Sequence, residues 1–374
     1  MTQVTGRRTF DNYIACLLGV ALGDALGAPI EFLSLPEIRA RYGPAGLTML
    51  APAFGRVGTI TDDTQMTLFT ADALLRYDGR IDDTSDGKLR SLLREAYLQW
   101  LETQGVSAVV PREWLAGGRL DNVEALRHAR APGNTCLSAL RAGGMGTVDR
   151  PINDSKGCGG VMRVAPVGLV APPELAFRIG CEAAAITHGH PSGYLAAGAY
   201  AAVLSAVVDG ASLSSAIATA LTLLGRQRRH DETTDAIESA VRAAHSGPAS
   251  AERVESLGQG WVAEEALAIA LYCALVGADF RSGVLLAVNH GGDSDSTGAI
   301  AGGLLGALHG RQSQPSEWLA ELELRDLIAG IATDLFRRFG GERPDSTNTP
   351  TSTDVAPPLR PDATGAAGSN GAEA

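Results

Sequence analysis

Basic residues are under-represented in this chain of 374 residues. Lys and Arg together number 31 against 42 Asp and Glu, which leaves a formal net charge of -11 at neutral pH. Proteins that bind nucleic acid or an anionic membrane surface need dense positive charge to neutralise phosphate groups. We therefore expect neither nucleic acid nor a membrane among the partners of this protein.

Cysteines are few, odd in number and widely spaced, and no CxxC pair occurs among them. This pattern argues against a disulfide framework and against a thiolate zinc site. Free thiols are typical of a reducing compartment, so the sequence predicts a cytoplasmic protein. The five cysteines are Cys16, Cys136, Cys158, Cys181 and Cys273.

An uninterrupted membrane-spanning run is also missing. The apolar stretch 14–30 contains Asp24 and four glycines or prolines, which makes it a poor span or signal-peptide core. Residues 195–208 are too few to cross a bilayer. This second stretch is therefore interpreted as a buried helix.

Aromatic residues and strand-like alternation are scarce as well, whereas glycine contributes 45 residues and hydrophobic residues make up 45% of the chain. Small residues allow helices to approach closely, and apolar residues recur at helical spacing. Neither a βαβ rhythm nor a hairpin pattern is evident. We therefore predict an all-α fold. The predicted helices cover residues 12–26, 62–76, 89–100, 123–129, 173–187, 192–209, 213–225, 233–244, 263–276, 280–288, 297–309 and 322–339.

The C-terminal residues differ in composition from the rest of the chain. From residue 341 onward they are mainly Pro, Thr, Ser, Asp, Gly and Ala, with few large apolar side chains. Such a segment buries too little apolar surface to offset its ordering entropy. The sequence therefore predicts one folded domain over residues 1–340 and a disordered tail over residues 341–374.

Two acidic clusters stand out against this background. Residues 58–64 are GTITDDT and residues 289–297 are NHGGDSDST, so each cluster places two carboxylates and several hydroxyls near a predicted helix start. Asp, Ser and Thr favour N-caps, and acids suit the positive end of a helix, so capping is the alternative for either cluster alone. One cap needs only one oxygen, however, and the glycine- and alanine-rich surroundings predict burial.

Converging buried carboxylates repel one another unless cations neutralise them. Oxygen ligands without thiolates favour magnesium or manganese, and no group of histidines has the spacing of a zinc site. Two such ions would activate a water and anchor substrate hydroxyls. We therefore predict two Mg²⁺ or Mn²⁺ ions, held by Asp62, Asp63, Asp293 and Asp295.

Seven segments between residues 15 and 310 extend this interpretation. They are GVALGDALGAPIEF (19–32), GTITDDTQMTL (58–68), GNTCLSAL (133–140), SKGCGGVMRVAP (155–166), ITHGHP (186–191), GWVAEEALAIAL (260–271) and NHGGDSDSTGAIAG (289–302). One such segment alone is a weak signal, but all of them in this order resemble the ADP-ribosylglycohydrolases. The resemblance implies an all-α fold with a central binuclear metal site.

The resemblance also implies the roles of individual acids. Glu31 matches the acidic residue after the family's first helix, so Glu31 and Asp62 are the implied catalytic groups; an exposed surface acid is the alternative for Glu31. Asp24 is a weaker candidate that would only cap or brace its helix. Relatives more often carry Thr at the position of Ser296, and both residues offer a hydroxyl. The implied metal ligands are Thr61, Asp62, Asp63, Asp293, Asp295 and Ser296.

The glycine loop 156–160 matches the segment that cradles the pyrophosphate with backbone N–H groups in the family. Cys158 stands where some relatives carry Asn, and we interpret it as a small loop residue rather than a nucleophile. Arg163 would neutralise phosphate charge or brace the loop. His188 would contact adenosine or be structural, and Trp261 would stack on adenine or pack in the core. The implied substrate-binding residues are Asn134, Gly157, Cys158, Gly159, Gly160, Met162, His188 and Trp261.

The implied function is hydrolysis of the glycosidic bond between the distal ribose of ADP-ribose and a protein side chain, with arginine linkage favoured. An ADP-ribosylated protein is then the partner, and we expect a monomer. Ala131 departs from the pattern, because some arginine-specific relatives carry an acid there. The alternatives are hydrolysis of another ADP-ribosyl bond or derivative, hydrolysis of another metal-bound substrate such as a phosphate ester, and a non-catalytic ADP-ribose-binding or structural role.

Overall fold

The computed structural model describes residues 8–81, 87–111 and 117–340, and within these ranges the chain forms sixteen α-helices and one two-stranded hairpin. The predicted all-α fold is confirmed, whereas the tail predicted over 341–374 lies outside the described residues. The strands are β1 (Pro52–Ala53) and β2 (Arg56–Val57). The helices are α1 (Phe10–Gly27), α2 (Leu35–Tyr42), α3 (Asp62–Arg76), α4 (Lys88–Thr103), α5 (Asn134–Arg141), α6 (Ala165–Val170), α7 (Pro173–Ala185), α8 (Pro191–Val208), α9 (Leu213–Leu224), α10 (Asp231–His245), α11 (Ala251–Glu255), α12 (Ala263–Val276), α13 (Phe280–Val288), α14 (Ser294–His309), α15 (Ser316–Glu321) and α16 (Arg325–Leu335).

The long helices agree best with the sequence prediction, because their apolar periodicity extends over several turns. Helices α3, α12 and α13 begin and end at the predicted residues. The helix predicted over 123–129 is only a 3₁₀ turn, Glu124–Leu126. The five helices that the prediction missed, α2, α5, α6, α11 and α15, have eight residues or fewer, which is too short for a clear periodic pattern.

The C-terminal helix predicted over 322–339 is wrong in detail. Within this range the chain forms α16 only from Arg325 onward, and a π-helical turn, Phe336–Gly340, follows it. The predicted helix is broken at Leu324, whose backbone is left-handed, with a φ of 55°. An α-helix does not continue through a left-handed residue, so the break is a backbone effect that the apolar pattern does not reveal.

The helices α1 and α14 cross at glycines. A Cβ added to Gly19 would lie 2.1 Å from the Gly302 carbonyl oxygen, and one added to Gly23 would lie 1.8 Å from the Gly298 oxygen. A Cβ on Gly27 would lie 2.3 Å from the Asp295 nitrogen. The expected close approach of helices through small residues is therefore confirmed. It brings the C-terminal end of α1 against the acidic start of α14.

Two helices, α1 and α8, have the length and hydropathy of membrane spans. The protein itself buries 83% of the apolar window in α1 and 94% of the window in α8. This is the burial of core helices. Helix α8 is also four residues longer than the stretch 195–208, since it begins at Pro191.

Candidate metal centre and substrate cleft

The start of α3 is held by a buried carboxylate of α1. Asp24 accepts hydrogen bonds from the backbone nitrogens of Thr61 and Thr64, each at 3.0 Å, and from the Thr64 hydroxyl. These bonds satisfy N–H groups that a helix start leaves without partners. Asp24 therefore braces the N-terminus of α3 rather than its own helix α1, which is the helix that the sequence analysis had expected it to brace.

The first acidic cluster is fixed by this brace. Thr61 is the N-cap of α3, and its hydroxyl accepts a hydrogen bond from the Asp63 nitrogen at 3.4 Å. Asp62 accepts one from the Gly133 nitrogen at 3.2 Å. The Oδ1 atom of Asp63 is buried and has no hydrogen-bond partner among the described residues. A buried oxygen without a partner is costly, which is what a cation ligand would look like before its ion binds.

The second cluster forms the start of α14. This helix begins at Ser294, three residues before the predicted start, because the Asp293 side chain caps it by accepting from the Ser296 nitrogen at 3.3 Å. Asp295 also accepts from the Ser296 nitrogen, at 3.0 Å. The Cys158 thiol donates to Asp293 at 2.8 Å. Capping is thus real in both clusters, yet it uses only part of their oxygens.

The two clusters meet between α1, α3 and α14. Carboxylate oxygens of Glu31, Asp293 and Asp295 lie within 4.8 Å of one another, and the Thr61 side chain is hydrogen-bonded to Asp295. Glu31 follows α1 and is half-buried rather than a freely exposed acid. Sites for hard divalent cations are built from such oxygen donors.

Burial and mutual repulsion raise the pKa values of these carboxyl groups. Burial, followed by the charge of Asp295, raises the pKa of Glu31 to about 10 and the pKa of Asp62 and Asp63 well above the usual range. The pKa of Asp293 is raised well above its usual value by the same two causes. Bound cations would reverse this effect by favouring the ionised forms.

A cleft of about 270 Å³ opens beside the acidic cluster. We call it the substrate cleft. Thr61 and Gly160 are the two predicted site residues outside its lining: Thr61 is fully buried under the cluster, and a Cβ on Gly160 would lie 2.8 Å from the Cβ of Ala184. The other predicted site residues all line it, namely Glu31, Asp62, Asp63, Asn134, Gly157, Cys158, Gly159, Met162, His188, Trp261, Asp293, Asp295 and Ser296.

The glycine loop forms one wall of this cleft. It pairs with the segment before α12, since Gly157 bridges to Val262 and the Cys158 nitrogen donates to the Trp261 oxygen at 3.2 Å. The Cys158 N–H is therefore already hydrogen-bonded within the protein and is not available to a phosphate. The expected cradle of backbone N–H groups has one donor fewer than predicted. Burial raises the pKa of the Cys158 thiol well above its usual value, so the thiol is neutral and unsuited to nucleophilic attack.

His188 packs against the glycine loop, and Arg163 is bonded to the neighbouring Thr187. The Arg163 guanidinium is fully buried, donates to the Ala183 oxygen at 2.9 Å and to the Thr187 hydroxyl at 2.8 Å, and lies over the Tyr97 ring. Its bonds therefore hold the end of α7 and the segment of Thr187, none of those described reaches the glycine loop 156–160, and Arg163 does not line the cleft. Burial, with the charge of Arg163, lowers the pKa of His188 to about 3, so this ring is neutral. The Thr187 hydroxyl fixes its Nδ1 at 2.8 Å.

An aromatic pair stands at the mouth of the cleft. The Phe32 and Trp261 rings stack with centroids 5.4 Å apart and planes at 21°. Phe32 is 70% exposed and Trp261 is 37% exposed, so Trp261 is not a core residue. The sequence analysis did not identify Phe32, although Phe32 belongs to one of the quoted segments. It also missed Pro132, Gly133, Thr135 and Cys136, which line the wall opposite Trp261.

Comparison with known proteins agrees with the motifs. The family model described as ADP-ribosylglycohydrolase matches residues 5–345. The ADP-ribosyl-[dinitrogen reductase] glycohydrolase of Rhodospirillum rubrum is 28% identical, over 86% of this chain and 94% of its own length. The ADP-ribosylarginine hydrolase Tri1 of Pseudomonas putida (strain GB-1) is 26% identical, over 90% and 80%. A solved structure, an ADP-ribosylglycohydrolase-related protein complex, has a TM-score of 0.59 and 27% identity, and the match covers 88% of this chain and 98% of that one.

Proposed function

The chain belongs to the ADP-ribosylglycohydrolase family, and from this we propose that it is a metal-dependent hydrolase that releases ADP-ribose from protein side chains. The observation that carries the metal dependence is the acidic cluster. Oxygens of Glu31, Asp293 and Asp295 lie within 4.8 Å of one another, and Asp63 keeps a buried oxygen without a partner. Such a cluster is stable only when it is protonated or neutralised by cations.

The donor set fits two Mg²⁺ or Mn²⁺ ions, because carboxylates and hydroxyls are hard oxygen ligands. When bound, such ions supply a polarised water and hold the ribose hydroxyls. Asp24 acts indirectly, since it fixes the start of α3 from which Asp62 and Asp63 project. The residues that would hold the ions are Thr61, Asp62, Asp63, Asp293, Asp295 and Ser296.

The reaction replaces the bond between the anomeric carbon and the acceptor atom by a bond to the water oxygen, through an oxocarbenium-like transition state. A carboxylate accepts the proton of the water, and the acceptor gains a proton as it leaves. Glu31 and Asp62 both line the cleft beside the cluster. Asp62 already accepts the Gly133 N–H at 3.2 Å, so we assign the water proton to Glu31 and a positioning role to Asp62.

The ADP-ribose part of the substrate would lie along the opposite walls of the cleft. Its phosphates avoid the carboxylates and face the glycine loop, where backbone N–H groups and a neutral His188 add no negative charge. Trp261 offers a partly exposed indole for the adenine. Asn134 and Met162 complete the cleft wall between these regions.

The linkage that we favour is arginine, because relatives from Serratia proteamaculans and Pseudomonas putida are named ADP-ribosylarginine hydrolases. The test is a panel of peptides that carry ADP-ribose on Arg, Ser or Glu, each incubated with enzyme and Mg²⁺ or Mn²⁺. We expect release of ADP-ribose from the arginine-linked peptide and loss of release after chelation. Release from another linkage alone would reassign the acceptor, and no release from any linkage by metal-loaded protein would refute the proposed function.

A further inference from the structure

A second cavity of about 440 Å³ adjoins the substrate cleft. The two share Glu31, Phe32 and Ala131 in their linings. The far wall of the second cavity comes from the β1–β2 hairpin and from α2, with Phe54 and Arg41. We call this cavity the side pocket. A group attached to a substrate near Glu31 can therefore continue into it without crossing the protein core.

Backbone strain is concentrated around the side pocket. The described residues include five non-glycine residues with positive φ, and three of them line this cavity: Phe32 at 67°, Phe54 at 51° and Ala131 at 50°. A left-handed backbone is unfavourable for residues with a side chain, and such residues cluster at ligand-binding sites. The strain is thus located where a ligand would be held.

Phe54 is an unfavourable residue for the turn that it occupies. It occupies the first position of the two-residue turn between β1 and β2, followed by Gly55 with a φ of 90°. Both turn residues have positive φ, which is the type I′ geometry that prefers Asn-Gly or Gly-Gly. The phenyl ring at this position is 53% exposed, so it does not contribute to the core. A phenylalanine here costs turn stability, and its half-exposed ring lines the side pocket instead of the core.

The charge of the side pocket is also uneven. Arg41 lines it, is exposed and forms no ion pair with a described carboxylate, although its guanidinium lies 5.3 Å from the Tyr42 ring. Glu31 is the other charged residue in the lining, and it belongs to the acidic cluster. On a chain with a net charge of -11, an unpaired arginine beside two exposed phenyl rings favours a ligand with an apolar and an acidic part.

We propose that the side pocket binds the polypeptide of the acceptor next to its ADP-ribosylated residue, with an apolar side chain against Phe54 and a carboxylate against Arg41. This inference rests on the proposed function and adds to it the basis of target recognition. The ADP-ribose faces the glycine loop, so the acceptor leaves the reacting centre on the side of Glu31. The side pocket begins at that residue.

The test compares substrates that carry the same scissile linkage, namely the one that the parent protein cleaves in the panel above. The first is ADP-ribose joined to the single amino acid. The second is a short peptide with Phe and Asp beside the modified residue, and the third has Gly and Ser there. The expected order of kcat/KM for the parent is the Phe/Asp peptide above the Gly/Ser peptide. Equal values for the two peptides would overturn the proposal.

The decisive variant is Phe54→Asn, which removes the ring but suits the turn. We expect kcat/KM for the Phe/Asp peptide to fall roughly tenfold, as for the loss of a partly buried phenyl contact. The single-amino-acid substrate should be cleaved as by the parent, and the melting temperature should be unchanged or higher. Met49→Ala is the matched control, because Met49 is 56% exposed in the segment that precedes β1 and does not line the side pocket.

Arg41→Ala provides a second variant that does not depend on the turn. With a fourth peptide that carries Phe and Ser, the variant should cleave the Phe/Asp and Phe/Ser peptides equally well and still prefer both to the Gly/Ser peptide. An equal loss on all substrates with either variant, or no loss on the Phe/Asp peptide, would overturn the proposal. So would a dimer of the parent that Phe54→Asn dissociates in sedimentation, because the occupant would then be a second copy. If the parent protein cleaves none of the linkages, the proposed hydrolase function is refuted before any variant is compared. If the parent cleaves one linkage but shows no peptide preference, only the side-pocket proposal is refuted.

Discussion

At the scale of single residues, Trp261 tests how the cleft recognises the base. We expect Trp261→Ala to weaken ADP-ribose binding by about 1–3 kcal/mol, the usual worth of stacking on an aromatic ring. The melting temperature should change little, because Trp261 is already 37% exposed. Isothermal titration with ADP-ribose measures the first quantity and calorimetry the second.

The matched control for this variant is another tryptophan. Trp318 is 1% exposed, so Trp318→Ala should lower the free energy of unfolding by about 3–5 kcal/mol. It should leave the ADP-ribose affinity of the folded fraction unchanged. Unchanged ADP-ribose affinity in a folded Trp261→Ala protein would exclude the stacking role.

The thiol of Cys158 lies in the cleft, but we predict that it is not required for turnover. A raised pKa keeps the thiol protonated at neutral pH, and its hydrogen bond goes to Asp293 at 2.8 Å. Cys158→Ala should therefore retain most of the turnover, whereas loss of a covalent nucleophile would abolish it. Steady-state kinetics of the variant decide between the two. Inactivity of a well-folded Cys158→Ala protein would contradict our interpretation of this residue.

At the scale of elements, the glycine crossing of α1 and α14 holds the centre together. Gly23→Ala would place a methyl group 1.8 Å from the Gly298 oxygen, and the two helices would have to separate. We expect a loss of about 1–3 kcal/mol or more in the free energy of unfolding, as for overpacked cores. Metal binding should weaken as well, because Asp295 lies at the end of the same crossing.

Gly330→Ala is the control for this effect. Gly330 lies within α16, and a Cβ there would meet no atom within 4 Å. This substitution should raise the free energy of unfolding by roughly 0.5–1 kcal/mol, since alanine is the better helix former. Urea denaturation measures both variants. A stable Gly23→Ala protein with unchanged metal affinity would show that the close approach is not required.

Helix boundaries also show what a sequence pattern can and cannot predict. The cluster at α3 was placed correctly because Thr61 is an ordinary N-cap followed by periodic apolar residues. The start of α14 was predicted three residues late, because residues 293–297 offer several Asp, Ser and Thr side chains as possible caps and the structure uses the first of them, Asp293. An N-cap is a local hydrogen bond within a few residues. Which of several adjacent Asp and Ser residues becomes the N-cap depends, however, on the contacts that surround them in the fold.

At the scale of the whole molecule, the motifs predicted which residues meet but not how they are supported. Fifteen residues were named as site residues or metal ligands from spacing and resemblance, and all of them except Thr61 and Gly160 line the cleft. The partners of Asp24 on α3, the partners of Arg163 on α7 and the Phe32–Trp261 stack depend on contacts between distant segments. No periodic pattern records such contacts, so these parts could not be predicted.

The carboxyl cluster also predicts how pH acts on the metal-free protein. Burial and neighbouring charges raise the pKa of Asp24 to about 7 and that of Glu31 to about 10, above their unfolded values near ~4. The folded state then binds more protons than the unfolded state, so stability falls as pH rises through this window. We expect the melting temperature of the chelator-treated protein to fall from mildly acidic to alkaline pH.

Mg²⁺ or Mn²⁺ should reduce this dependence, because cations replace protons as the neutralising charge. The comparison is a series of melting curves across pH with and without metal. A metal-free protein that becomes more stable as pH rises over the same range would contradict the electrostatic account of the cluster.

The central claim is that Asp62, Asp63, Asp293 and Asp295 form one site for divalent cations. Its most direct test is the stoichiometry of Mn²⁺ binding, measured by isothermal titration for the parent and for Asp63→Asn. This change keeps the shape of the side chain and removes a charge from the group whose buried Oδ1 has no partner. We predict two ions per parent chain and the loss of at least one of them in the variant. A parent that binds no Mn²⁺, or a variant that binds it with the parent's stoichiometry and affinity, would contradict the claim and leave these residues as helix caps.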